Sequence, residues 1–178
     1  MFAATIQSDL ACINCEYNLR GLSTESRCPE CGVPIAETLE TIPSGEFPEL
    51  DEQIDAIHRA RFEPIARSAH VSVDAAMFVF DAWRAAATKP RRVGLPLALR
   101  IATAIDICKE VRELAREYFN DESEARELFG EWGLRNGEDI GRVIFAMIDA
   151  GWIRSNSDAS VKQFAGLFSL DTLFVDPA

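Results

Sequence analysis

Basic residues are missing where a targeting signal or a nucleic-acid grip would need them. None precedes Arg20, so no positively charged segment leads an apolar one, and a secretory leader is not expected. No run approaches 18 uninterrupted apolar residues, which removes a membrane-spanning helix from the expected elements. Histidine is nearly absent, with only His58 and His70, leaving little for acid–base chemistry. There is no Gly-rich phosphate loop before a Lys-Ser/Thr pair, no HExxH, no GxSxG and no dinucleotide fingerprint. A non-enzymatic protein is the expectation. The 18 lysines and arginines stand against 29 acids, a formal net charge of −11. Residues 1–50 hold two bases against eight acids, and the remainder sixteen against twenty-one. Such a surface is poorly matched to a phosphate backbone.

Against this background the five cysteines stand out, four of them within the first 31 residues. Cys12-Ile13-Asn14-Cys15 and Cys28-Pro29-Glu30-Cys31 form two CxxC clips with twelve residues between them. Each clip offers two thiolates from one tight turn, and the spacer is long enough for a hairpin that joins the clips around one ion. Gly32 can supply the positive φ that such a turn needs. Two disulfides are the competing reading, but thiols in an unsecreted chain favour metal and a reducing compartment, hence the cytoplasm. Zinc is expected over rubredoxin-type iron, which uses the same clips with longer intervening sequence. Four thiolates fill a tetrahedral ion, so the Zn2+ is expected to be structural.

The expected organisation is a zinc ribbon over residues 8–34, an acidic linker over 35–49 and a helical domain over 50–178. Tyr17, Leu19 and Leu22 are the ribbon's expected core, and metal is expected to drive its folding, since so short a segment cannot bury enough apolar surface. The linker reading rests on Pro43, Ser44, Gly45 and Pro48, and on seven acids without a base between Gly32 and His58. Beyond it, Leu50, Ile54 and Ile57 mark a short helix. Ser72 reads as the N-cap of a helix to about Ala87. Thr103 with Asp106 reads as a capping box for a helix to about Phe119. Asp121 opens another that Gly133 closes, and Asn136 with Asp139 opens the last, ended by Gly151. Residues 152–169 lack helical period and read as a β-hairpin with Trp152, Phe164, Leu167 and Phe168 inward. The expected fold class is α+β, mostly α: a small zinc ribbon, about five helices and a C-terminal hairpin, with a winged-helix-like outline around Gly133.

Trp132-Gly133-Leu134-Arg135, then Glu138-Asp139-Ile140-Gly141-Arg142-Val143-Ile144-Phe145, then Gly151, Phe164, Phe168 and Phe174, resemble an uncharacterised repeat-protein family of planctomycetes and verrucomicrobia, over residues 55–175. Ile140, Arg142 and Thr103 depart from its pattern. Cys12 to Gly32, with Tyr17-Asn18-Leu19-Arg20-Gly21-Leu22 and Arg27-Cys28-Pro29, resembles the short zinc ribbon of the same bacteria, with Glu16 where glycine is usual and Asn18 where aspartate is usual. The resemblance implies a fold and a lineage, and no reaction.

Cys108 falls on the apolar stripe of its helix and reads as a small buried hydrophobe. Arg84, Lys89, Arg91, Arg92 and Arg100 form a stretch of +5, with no acid between Asp81 and Asp106. Three readings are open for it: a solvated loop, a contact for an anionic partner such as RNA, or a dock for the acidic linker. A helix-turn-helix reading of the Gly133 region would place Glu138 and Asp139 against phosphate, with Arg142, Arg154 and Lys162 as its only support. The expected function is a zinc-stabilised interaction or adaptor protein with a protein partner, displaying Ile13, Asn14, Pro29 and Glu30. The alternative is a nucleic-acid- or ribosome-associated factor using residues 84–100, and the third an enzyme of unrecognised type.

Overall fold

The computed structural model describes residues 4–43, 46–89, 102–153 and 159–174. Among them are six α-helices: α1 (Ile35–Leu39), α2 (Asp51–Ala69), α3 (Val73–Thr88), α4 (Ala104–Tyr118), α5 (Glu122–Trp132) and α6 (Gly137–Asp149). The chain divides into two compact units, Met1–Arg61 and Phe62–Ala178. No helix among the described residues is long and apolar enough to cross a membrane.

The first unit is built on tight turns joined by isolated antiparallel bridges, Thr5 to Ser23, Ala11 to Asn18 and Arg27 to Pro34. Its core is larger than a free-standing ribbon's. Ile6, Leu10 and Leu19 meet Ile35, Leu39, Ile42, Leu50 and Ile54, with Cys12 and Cys28 among them. The stretch 35–49 is therefore not a bare linker. It holds α1 and a 3₁₀ turn at Pro48–Leu50, because Ile35, Leu39 and Ile42 present one apolar face while Glu37 stays exposed. Ser44 and Gly45 lie outside the described residues. Tyr17 also differs from expectation. It is 38% exposed, whereas Leu19 is fully buried and Leu22 packs half-buried against the same core, as expected.

In the second unit the helix starts follow the local capping chemistry. The Ser72 hydroxyl accepts from the Ala75 N–H. Thr103 with Asp106 and Asn136 with Asp139 form complete capping boxes, and the Asp121 carboxylate accepts from Ser123 and Glu124. Three helix ends close in one way. His70 (φ 59°), Gly133 (φ 85°) and Gly151 (φ 76°) each take the left-handed conformation while the next residue's N–H reaches back to a carbonyl of the last turn. α3 packs chiefly on α4, and both bury Ala75, Ala82, Ala86, Val111 and Ala115 completely. Phe129 is the hub of the aromatic core, with its ring centroid 5.2 Å from Phe78 and 5.4 Å from Trp132.

The expected hairpin is not formed among the described residues. Val161–Phe164 and Leu170–Thr172 are 3₁₀ turns, the first capped by Ser160, and the remaining pairing is a single bridge between Asn136 and Ser169. The physical reason is that other groups take the backbone polar atoms a partner strand would have taken. Arg112 donates to the carbonyls of Leu167 and Thr172, Gly137 N–H to Phe168, and Leu170 N–H to Arg135. Residues 154–158, including Arg154, lie outside the described residues.

The same packing bears on the helix-turn-helix outline. The turn between α5 and α6 is present, but the first turn of α6 is covered. A Cβ on Gly137 would overlap the Phe164 carbonyl oxygen, and one on Gly141 would sit 3.0 Å from the Phe164 ring. Asp139 is buried, holding the Arg135 and Asn136 N–H groups and Arg142, which in turn donates to the Ala69 carbonyl. What this helix start leaves toward solvent includes the half-buried Glu138, an acid that repels phosphate.

Candidate metal centre

The two clips have the same backbone. In the first, Cys12 N–H donates to the Tyr17 carbonyl at 2.9 Å and Glu16 N–H to the Cys12 carbonyl at 2.9 Å. In the second, Cys28 N–H donates to Val33 at 2.8 Å and Gly32 N–H to Cys28 at 2.9 Å. Each clip ends on a residue at positive φ, Glu16 at 61° and Gly32 at 76°. α1 supports the first clip from below, where the buried Thr38 hydroxyl accepts from the Ile13 N–H at 3.3 Å.

This arrangement brings all four expected ligands together. The sulfur atoms of Cys12, Cys15, Cys28 and Cys31 lie within 4.8 Å of one another. Across the clips, the sulfurs of Cys12 and Cys31 are 3.6 Å apart and those of Cys15 and Cys28 3.5 Å apart. A tetrahedron with bonds of about 2.3 Å to sulfur has edges of about 3.8 Å, so one ion such as zinc fits the set. None of the sulfurs is in a disulfide. Cys12 and Cys28 are buried, Cys31 is half-buried and Cys15 exposed.

Electrostatics point the same way. The Asn14 N–H lowers the Cys12 thiol below its ordinary range. The Val33 N–H and the Asn14 side chain bring Cys31 down to about 6. The Tyr17 N–H also favours the Cys15 thiolate, yet desolvation and the sulfurs of Cys31, Cys28 and Cys12 push that thiol up to about 12. Cys12 and Cys31 thus give up their protons more readily while Cys15 resists, as crowded like charges must. A divalent cation removes that resistance.

The other sequence candidates are not brought to this site. Cys108 is buried, and desolvation pushes its thiol up to about 12 despite Arg112 nearby. His58 Nε2 lies 3.3 Å from the Glu40 carbonyl, and His70 closes α2. In the basic run, Arg84 pairs with Asp81 at 3.0 Å, and Lys89 pairs with buried Glu110 at 2.7 Å and with Glu113 at 3.4 Å. The hydrogen bond to Glu110 raises the Lys89 pKa. Arg91, Arg92 and Arg100 lie outside the described residues. Sequence reasoning missed Thr38, Asn14 as a donor to Cys31, and Arg112, since each acts on a group its own spacing does not reveal. No family model, curated protein or solved structure matches the chain.

Two expected results follow from this geometry. Thiol alkylation of the metal-loaded native protein should label no cysteine rapidly, chelation should release four, and denaturation should add Cys108 as the fifth. Rapid labelling of Cys108 in the native fold would show that burial does not protect it. Separately, Gly32→Ala should destabilise the first unit by about 1 kcal/mol, read as a lower chelator-free midpoint. The added Cβ meets nothing within 4 Å, so the loss comes from φ alone. An unchanged midpoint would contradict that assignment.

Proposed function

We propose that Cys12, Cys15, Cys28 and Cys31 hold one structural Zn2+ and that the chain is a non-enzymatic, zinc-stabilised interaction module acting on other proteins in the cytoplasm. The observation that supports it most is the closed set of four sulfurs, which leaves no coordination position for water or substrate. The metal's contribution is scaffolding, neutralising four crowded thiolates and fixing two turns. What those turns then present are Ile13, Asn14, Pro29 and Glu30, all exposed.

The nucleic-acid reading keeps less support. Arg84 and Lys89 of the basic run are paired with acids, and the first turn of α6 is enclosed. The test is affinity purification of the full chain from its native cell with protein and nucleic acid both identified. A stoichiometric protein, lost when Cys12→Ser removes a ligand, is the expected result. Nuclease-sensitive material lost in Arg91→Glu with Arg92→Glu would overturn the reading in favour of the nucleic-acid alternative.

A further inference from the structure

The two clips match in backbone and differ in surface. Both hold their fifth residue in the left-handed region. In the second clip that residue is Gly32, which adopts it freely, and the residues between the two cysteines are Pro29 and Glu30. In the first it is Glu16, an L-residue held where glycine would be easier. Residues held this way cluster at functional sites, although His70 takes the same conformation merely to close α2. The Glu16 carboxylate is exposed and makes no ion pair among the described residues. On the same loop stand Ile13, 54% exposed, and Tyr17, 38% exposed, the two large apolar side chains this unit leaves in solvent among the described residues. Two apolar side chains and an unpaired acid thus share six consecutive residues.

The surrounding charge selects the partner. Residues 4–61 carry four arginines against eleven acids, and a Zn2+ bound by four thiolates adds two further negative charges. That field repels nucleic-acid phosphate, anionic lipid and a second copy of the same unit. We infer that the first clip, Cys12–Tyr17, is the contact site for a partner protein that presents arginine or lysine beside apolar side chains. The apolar groups meet Ile13 and Tyr17, and the cation meets Glu16. The inference rests on the protein-contact reading above and narrows it to one clip and one partner chemistry.

A photo-crosslinking benzoyl-phenylalanine placed at Ile13, at Glu30 or at exposed Glu117 of α4, in the full metal-loaded chain in its native cell, tests this. The expected result is one protein adduct from position 13, mapped to a segment with arginine or lysine among apolar residues, and none from position 30. Glu16→Gln should reduce the adduct roughly tenfold with metal content unchanged, whereas Glu30→Gln, which removes the same charge, should not. Adducts from position 117 alone would overturn the inference and leave the adaptor reading standing. No protein adduct from any position would overturn both. Adducts to nucleic acid or to a second copy at position 13, or an adduct indifferent to Glu16→Gln, would also overturn the inference.

Discussion

Stripping the metal from Cys12, Cys15, Cys28 and Cys31 is expected to unfold the first unit and leave the second folded. Among the described residues, the buried core of the first unit includes Cys12 and Cys28, two of the four cysteines whose sulfurs cluster. Among the described residues its backbone has isolated bridges in place of a ladder, which hold the turns weakly without an ion. A unit of this size lies near the lower limit for folding on hydrophobic burial alone. Structural zinc supplies about 10–16 kcal/mol in comparable peptides, against about 5–15 kcal/mol for the whole stability of an ordinary domain. Removing the ion therefore removes a quantity as large as everything else in the unit. Native-state hydrogen exchange reads it out directly. Protection at the Leu19, Cys28 and Ile35 amides should collapse on chelation and in Cys12→Ser, while protection in α4 and α6 persists. Retained protection in the first unit after chelation would mean that the Ile6–Leu39–Ile54 core stands without metal.

The second large effect is expected from Phe129→Ala. Phe129 is fully buried, and its ring meets Phe78, Trp132, Phe119 and Phe168 at centroid distances of 5.2, 5.4, 6.1 and 6.3 Å. These rings come from α3, α5, the end of α4 and the C-terminal turns, so the cavity cannot collapse by moving one element. A loss of about 3–5 kcal/mol is expected for such a truncation. It should appear as a lower denaturant midpoint of the second unit with an unchanged slope. Tyr118→Ala is the contrast: it is 62% exposed, and a change within about 0.5 kcal/mol is expected. Equal losses in the two variants would contradict the placement of the aromatic hub.

How far the sequence discloses this structure depends on how local each cause is. Ser72, Thr103, Asp121 and Asn136 cap helices through bonds to residues two or three positions on, and Gly133 closes α5 by its own φ, so these ends were readable. The cysteine spacing was readable for the same reason. α2 proved longer than its expected start, because Phe62, Ile65, Ala66 and Ala69 continue the apolar face through Pro64, a residue that ordinarily argues for a helix boundary. After Gly32, seven acids in the sequence mask the apolar spacing of Ile35, Leu39 and Ile42 that builds α1 into the core. The C-terminal turns mimic a strand pattern, and what decides against pairing is Arg112, more than fifty residues away in the chain. Lys89 reads as one of five free cations until Glu110 is found beside it. In each of these cases the deciding partner is distant in sequence.

X-ray absorption at the zinc edge, on protein purified without added metal and quantified by elemental analysis, addresses the metal centre itself. The account predicts one zinc per chain surrounded by four sulfur atoms at about 2.3 Å, with no oxygen or nitrogen in the shell. Fewer than four sulfurs, a light-atom ligand, or a chain free of metal would contradict it.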